Sequence, residues 1–347
     1  MTRTAVVICP GRGTYNKHEL GYLHRHHSDR MGMFRDFDTI RGQAGQDSII
    51  DLDGAAQYSV ARYTRGDIAS PLIYAASLAD AQSLAPDIEV VAVTGNSMGW
   101  YIALAAAGAL SATNGFKLVN TMGTLMQTHL IGGQLVYPFV GSDWADDPAR
   151  KASVLADVAR INGLPDHDLA LSIDLGGLLV LAGNQAGLSA FEVSQPVVDA
   201  RFPMRLQNHA AFHTSLQAPV ASEGRSRLSA DLFEQPERPL IDGRGKIWWP
   251  GATQVTDLWD YTLGHQVTET YDFTRAIQTA AREFAPDLFI VTGPGETLGG
   301  AVAQSLILAE WRGMKDKAAF QTQQKARPFL VSMGRPDQRA MVAPESQ

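Results

Sequence analysis

The segment Thr94-Gly95-Asn96-Ser97-Met98-Gly99 stands between a β-branched run, Ile88 to Val93, and an Ala-rich run, Trp100 to Leu110. A strand can turn into a helix over so few residues only where glycines let the two backbones approach. Such a turn lifts the serine oxygen clear of the sheet and points the next helix N-terminus at it. The letters G-x-S-x-G are weak alone; the strand before and the helix after make them a nucleophile elbow. This commits the chain to an α/β architecture and predicts Ser97 as nucleophile. The competing reading is a tight turn whose glycines serve packing only.

The rest of the chain fits that architecture. Thr4 to Cys9 reads as a strand ending in the turn Pro10-Gly11-Arg12-Gly13, and Pro71 to Leu84 as a helix broken by Ala85-Pro86-Asp87. A helix is predicted over Asn114 to Gln127. Later come a strand from Phe284 to Val291, the turn Gly293-Pro294-Gly295 and a helix from Glu296 to about Trp311. Between them, residues 132–205 alternate strand-like runs (Gly133 to Val140, Leu169 to Ile173, Leu178 to Ala182) with a helical stretch, Ala149 to Arg160, as an inserted α+β unit would. Beyond Met314 no steady periodicity is seen, and a tail wrapping the surface is expected.

Several classes of function drop out. Lys+Arg number 29 against Asp+Glu 36, a net charge of −7, which argues against a general nucleic-acid or anionic-membrane binder. The one cysteine, Cys9, cannot form an intrachain disulfide. The opening MTRTAVVICPGRG has no signal-peptide pattern and no apolar run approaches membrane-spanning length, so a cytoplasmic protein is expected. No phosphate-binding loop, H-E-x-x-H or paired cysteines occur, so neither metal nor nucleotide chemistry is indicated. His24, His26 and His27 have no metal-ligand spacing and read as solvated. In Gly293 to Gly299 the third glycine is misplaced for a dinucleotide loop and no second βαβ half follows, and Trp248-Trp249 reads as a buried aromatic pair before a turn.

A serine nucleophile needs a base, and nine histidines are present. Chain position does not choose among them. His265 would suit the hydrolase order of serine, acid and late histidine, but the surroundings of His213 are more telling. Ala211-Phe212-His213-Thr214-Ser215-Leu216 is similar to the A-F-H-S-x-L motif of the malonyl-CoA:acyl carrier protein transacylase family, which includes the acyltransferase domains of fatty acid and polyketide synthases. Pro10-Gly11-Arg12-Gly13-Thr14 resembles its P-G-Q-G-S, and Gly95 to Gly99 its G-H-S-x-G. Leu118-Val119-Asn120-Thr121-Met122-Gly123-Thr124-Leu125-Met126-Gln127 resembles L-V-x-x-R-G-x-x-M-Q. Gln266, Phe273-Thr274 and Gly293-Pro294-Gly295 fall where the family has Q, W-T and G-P-G. The motifs run in family order over about residues 5–310.

The resemblance implies Ser97 as acyl acceptor, His213 as its base, Gln266 as the group orienting His213, and the backbone N–H groups of Met98 and Arg12 as an oxyanion hole. It implies a hydrolase-like domain with a parallel sheet (1–131 and 206–314), a ferredoxin-like subdomain (132–205) and a C-terminal tail (315–347). It also implies acyl-CoA as substrate, an acyl carrier protein as partner and no permanently bound cofactor. The departures bear on substrate. Met122 replaces the arginine that pairs with a malonyl carboxylate, so a neutral acyl group is expected unless another arginine, such as Arg201 or Arg205, reaches the pocket. Asn96 and Trp100, beside the serine motif, are expected to reshape the pocket. Two alternatives remain open: an acyl-thioester hydrolase on the same scaffold, and a catalytically silent docking subunit of a synthase complex.

Overall fold

The computed structural model describes residues 2–343. Its strands, in chain order, are β1 (Arg3–Cys9), β2 (Ile88–Gly95), β3 (Gly133–Pro138), β4 (Leu169–Leu175), β5 (Leu178–Gly183), β6 (Met204–Arg205), β7 (Leu240–Ile241), β8 (Ile247–Trp248), β9 (Tyr271–Asp272), β10 (Leu288–Val291) and β11 (Leu330–Ser332). Six form one sheet in the order β11-β10-β1-β2-β7-β8, parallel except for β7 against β8. The α/β class expected from the sequence is thus observed. The central strand β1 is buried from Ala5 through Cys9, as a β-branched run in a parallel sheet requires. In the β1–β2 register Cys9 lies opposite Gly95, so the Pro10–Gly13 and Asn96–Gly99 turns leave the sheet side by side at one edge.

The second sheet has the order β6-β3-β5-β4-β9. Helices Pro148–Asn162 and Gln185–Ser194 follow β3 and β5, giving the βαββαβ connectivity of a ferredoxin-like unit. It carries its own core of Leu135, Tyr137, Phe139, Leu179, Leu181 and Phe191. β9 comes from the larger part of the chain yet pairs in parallel with β4, Ile173 opposite Tyr271. Tyr271 also donates its hydroxyl to the Gly95 carbonyl at 2.5 Å, which ties the small sheet to the elbow.

Some sequence expectations need correction. The helix containing Pro71 starts at Gly66 and runs to Gln82. Pro71 removes the donor that would have reached the Asp67 carbonyl, and Arg41 Nη1 caps that carbonyl instead at 3.0 Å. Phe284 ends a helix, Phe273–Phe284, whose buried Phe273, Ala276, Ile277, Ala280 and Ala281 recur at helical spacing; the strand begins only at Leu288. The helix after Gly295 spans Leu298–Leu308. Beyond Met314 the chain is ordered into helix Lys317–Ala326 and edge strand β11.

His27 is not solvated. Its Nε2 lies 2.7 Å from the buried Asp80 carboxylate, which also accepts from Arg339 at 2.6 Å and from the Gly293 N–H at 2.6 Å. Only half of the tryptophan pair is buried: Trp248 donates to Asp242 at 3.0 Å, whereas Trp249 is 49% exposed.

Candidate active site

The elbow is built by close backbone approach. A methyl group on Gly95 would sit 2.2 Å from the Gly99 carbonyl oxygen, and one on Gly99 would sit 2.2 Å from that of Cys9. Both positions therefore require glycine for space. Between them Ser97 is held at φ 56°, a left-handed conformation that a non-glycine residue adopts at a cost and that recurs at functional sites. Helix Gly99–Ala106 starts immediately afterwards.

His213 also has a left-handed backbone, φ 58°, and its ring reaches Ser97. Ser97 Oγ and His213 Nε2 are 2.7 Å apart, and His213 Nδ1 is 2.6 Å from the Gln266 backbone carbonyl. A carbonyl only accepts, so Nδ1 carries the ring proton and Nε2 presents its lone pair to the serine hydroxyl. Burial pushes the His213 pKa down to about 4, against the opposing effect of the Gln266 carbonyl, so the imidazole is neutral at neutral pH.

Gln266 orients His213 through its main chain rather than its side chain. The side chain instead clamps the elbow: Nε2 donates to the Ser97 carbonyl at 3.0 Å, and Oε1 accepts from Tyr101 Oη at 3.0 Å. The backbone N–H groups of Arg12 and Met98, on the two adjoining turns, have no acceptor among the described residues.

Ser97, Met98, Tyr101, His213 and Gln266 line one small cavity together with Arg12, Ser70, Gly123, Met126, Phe212 and Val267. Its free volume is about 20 Å³, room for about one water molecule. Two residues expected to shape the pocket lie elsewhere. Trp100 is fully buried on the core side of its helix, edge-on to Tyr261, with Nε1 donating to Thr262 at 3.0 Å. Met122 is fully buried on the far side of helix Ala112–His129, its sulfur 2.7 Å from where a methyl on Gly224 would stand. A helix turns 100° per residue, so the cavity wall falls to Gly123 and Met126 instead.

Asn96 lies behind the serine with its Oδ1 buried and unpartnered, and its backbone packs under Gly11. His265 stacks on Tyr261, Arg205 pairs with Glu192 at 2.6 Å, and Arg201 lies over Phe202; none lines the cavity. The sequence pattern gives Arg12 only a backbone role and Tyr101, Met126 and Phe212 no role in the pocket. The one available signal was a cation in a turn where the resembling motif carries a neutral glutamine.

No family model matches the chain. A non-reducing polyketide synthase of Cercospora nicotianae is 26% identical over 254 residues, 70% of this chain and 11% of that protein. The chain thus spans about a tenth of the length of the first such relatives. A malonyl CoA-acyl carrier protein transacylase of Haemophilus influenzae is 24% identical over 248 residues, 71% of this chain and 74% of that protein. The crystal structure of a malonyl-CoA:acyl carrier protein transacylase from Xanthomonas oryzae superposes with a TM-score of 0.74 at 20% identity, over 98% of both chains, and so shares the fold.

Proposed function

We propose that the chain is a member of the family of malonyl-CoA:acyl carrier protein transacylases and polyketide synthase acyltransferase domains, a reading its fold and sequence likeness support, and that it carries out a ping-pong acyl transfer through Ser97. The observation that carries this reading is the 2.7 Å contact between Ser97 Oγ and a His213 whose tautomer is set by the Gln266 carbonyl. In the first half-reaction Ser97 Oγ attacks the thioester carbonyl of an acyl-CoA while its proton passes to His213 Nε2. The tetrahedral oxyanion is received by the N–H groups of Arg12 and Met98, which have no other acceptor among the described residues. The C–S bond then breaks, and His213 returns the proton to the departing CoA thiolate. In the second half-reaction the phosphopantetheine thiol of an acyl carrier protein attacks the acyl-Ser97 ester, and the same groups act in reverse.

A neutral acyl group was expected because Met122 replaces an arginine. Met122 does not reach the cavity, so it leaves the charge of the acyl group undecided, and the decision falls to the residues that do line it. The test is intact-protein mass after brief mixing with a panel of acyl-CoAs, for the wild type and Ser97→Ala, followed by addition of holo acyl carrier protein. The proposal expects a mass gain of one acyl group that Ser97→Ala abolishes and that carrier protein discharges with acyl transfer. Steady CoA release without a carrier would instead identify a thioester hydrolase. No loading with any thioester would identify a silent docking subunit.

A further inference from the structure

We propose that a cavity separate from the catalytic one, built around Arg41, Arg62 and Arg65, is a binding site for a phosphorylated small molecule. The proposal concerns a second site and does not rest on the Ser97 reading.

The cavity holds about 520 Å³, within the range of small-molecule sites. Three guanidinium groups and two carboxylates, Asp47 and Asp67, line it, which leaves one net positive charge. It shares no lining residue with the catalytic cavity. The two are nevertheless close. Arg65 and Asp67 line this one, and Gly66 between them packs on Gly123 of the other, where a methyl on either glycine would stand 2.6 Å from the other's carbonyl oxygen.

Arg41 is the fixed element. It belongs to helix Met31–Gln43 and is 1% exposed, yet it lines the cavity. Its Nε donates to the Asp47 carbonyl at 2.5 Å, and its Nη1 donates to the Asp67 carbonyl at 3.0 Å and to Asn120 Oδ1 at 2.7 Å. Asn120 is held in turn: its Nδ2 donates to Gln46 Oε1 at 2.7 Å, and Gln46 Nε2 donates to Thr124 Oγ1 at 2.9 Å. Every acceptor of Arg41 is neutral, and Nη2 has no acceptor among the described residues. A buried cation bonded only to neutral oxygens is short of a counter-ion. Burial accordingly lowers its pKa, against the opposing charges of Asp67, Asp38 and Asp47.

Arg62 and Arg65 are the adaptable elements. Arg62 Nη2 meets Asp47 at 2.8 Å, and Arg65 holds Asp67 through Nε at 3.0 Å and Nη2 at 2.8 Å. Both arginines are nearly half exposed, and ion pairs so exposed contribute little, so either guanidinium can turn to a second anion at small cost. Nη1 of each has no acceptor among the described residues.

The arrangement selects the chemistry of the ligand. A planar carboxylate is filled by one guanidinium fork, whereas a tetrahedral phosphate offers oxygens to donors that arrive from several side chains. Here the donors come from separate elements: helix Met31–Gln43, the turn Val60–Tyr63, and the residue preceding helix Gly66–Gln82. The cavity is too large for a lone phosphate, and no aromatic side chain lines it on which a nucleobase could stack. The phosphate is therefore carried on a polar body such as a sugar. Two sources offer this dianion: a free sugar phosphate, and the 3′-phosphate of CoA.

The experiment titrates ribose 5-phosphate, and ribose as its neutral control, into the full chain by calorimetry at fixed ionic strength. The wild type is expected to bind ribose 5-phosphate at one site per chain and not to bind ribose. In Arg62→Gln/Arg65→Gln, two exposed positions, affinity should fall at least about tenfold, the range for losing hydrogen bonds to a charged group. A melting curve checks the fold of this variant, and Arg62→Gln alone carries the comparison if the double variant fails to fold. Repeating the titration with CoA or 3′-dephospho-CoA present separates the sources. Binding undiminished by either identifies a free phosphate ester as the occupant, and displacement by CoA alone identifies the 3′-phosphate of CoA; both outcomes uphold the site. Equal displacement by the two forms would move the ligand to the rest of the CoA site and overturn the proposal. No binding of ribose 5-phosphate at millimolar concentration, equal binding of ribose, or unchanged affinity in the folded variant overturns it as well. Every readout is binding without turnover, so a failure of Ser97 to acylate leaves this result standing, and a failure here leaves the Ser97 reading intact.

Discussion

Acidification separates a buried His213 from an ordinary one. Burial takes its pKa from 6.5 to about 4, a difference of about 2.5 units or about 3 kcal/mol between protonation states. The base works only when neutral. At pH 5 an imidazole titrating at about 4 is still about 90% neutral, whereas one titrating at 6.5 would be about 3% neutral. The single-turnover acylation rate at limiting acyl-CoA, which reports the free enzyme, should therefore be flat from pH 8 to pH 5 and reach half its plateau near pH 4. Rapid quench followed by intact-mass analysis gives this rate directly. A half-maximum near 6.5 would mean that His213 is solvated in the working enzyme, and the argument from burial would fail.

The same shift has a stability consequence with a definite sign. The folded pKa is depressed, so the unfolded chain takes the proton first. Stability is full above about pH 6.5 and declines as the pH falls towards about 4, by up to about 3 kcal/mol from this residue. His209, whose pKa is lowered well below 6.5 by burial and by the nearby Arg12 charge, acts in the same direction.

Three further outcomes follow from the contacts. Gln266→Ala keeps the main-chain carbonyl that holds His213 but frees the Ser97 and Tyr101 partners, so acylation should slow by about tenfold, about 1 to 1.5 kcal/mol; loss as complete as in His213→Ala would show that the side chain is the orienting group. Arg339→Met strips a charged partner from the fully buried Asp80 and should cost about 3 kcal/mol in urea unfolding; a change within about 0.5 kcal/mol would show that His27 and Tyr22, whose hydroxyl donates to Asp80 at 2.8 Å, suffice. Met122→Leu is a volume-conserving core change that should cost less than about 1.5 kcal/mol and leave the ratio of malonyl to propionyl loading unaltered; a shifted ratio would restore position 122 to the pocket.

The strand-turn-helix around Ser97 was legible because its causes are local. Two glycines are forced by backbone approach within a few residues, and β-branched and Ala-rich runs flank them. The parallel sheet and the inserted α+β unit were legible for the same reason, as alternation of apolar period along the chain. The contact between Ser97 and His213 is different in kind. These residues lie 116 positions apart, and only the resemblance of the surrounding motif singled out one histidine among nine.

Where each side chain points was decided by tertiary packing. A linear motif puts Met122 and Trp100 at the site, yet 100° of helical rotation and the facing Gly224 and Thr262 turn both into the core. The tail after Met314 showed no periodicity because its short elements are held by partners far away in the chain, β10 and Asp80. Arg12 gives the sharpest contrast. Its sequence context marks only a turn, whereas the glycine crossing of two helices, remote in sequence, makes room for its guanidinium in the wall of the cavity that Ser97 lines, with no ion-pair partner among the described residues. Local sequence determines what a segment can become, but burial, register and charge pairing are properties of neighbours that folding alone supplies.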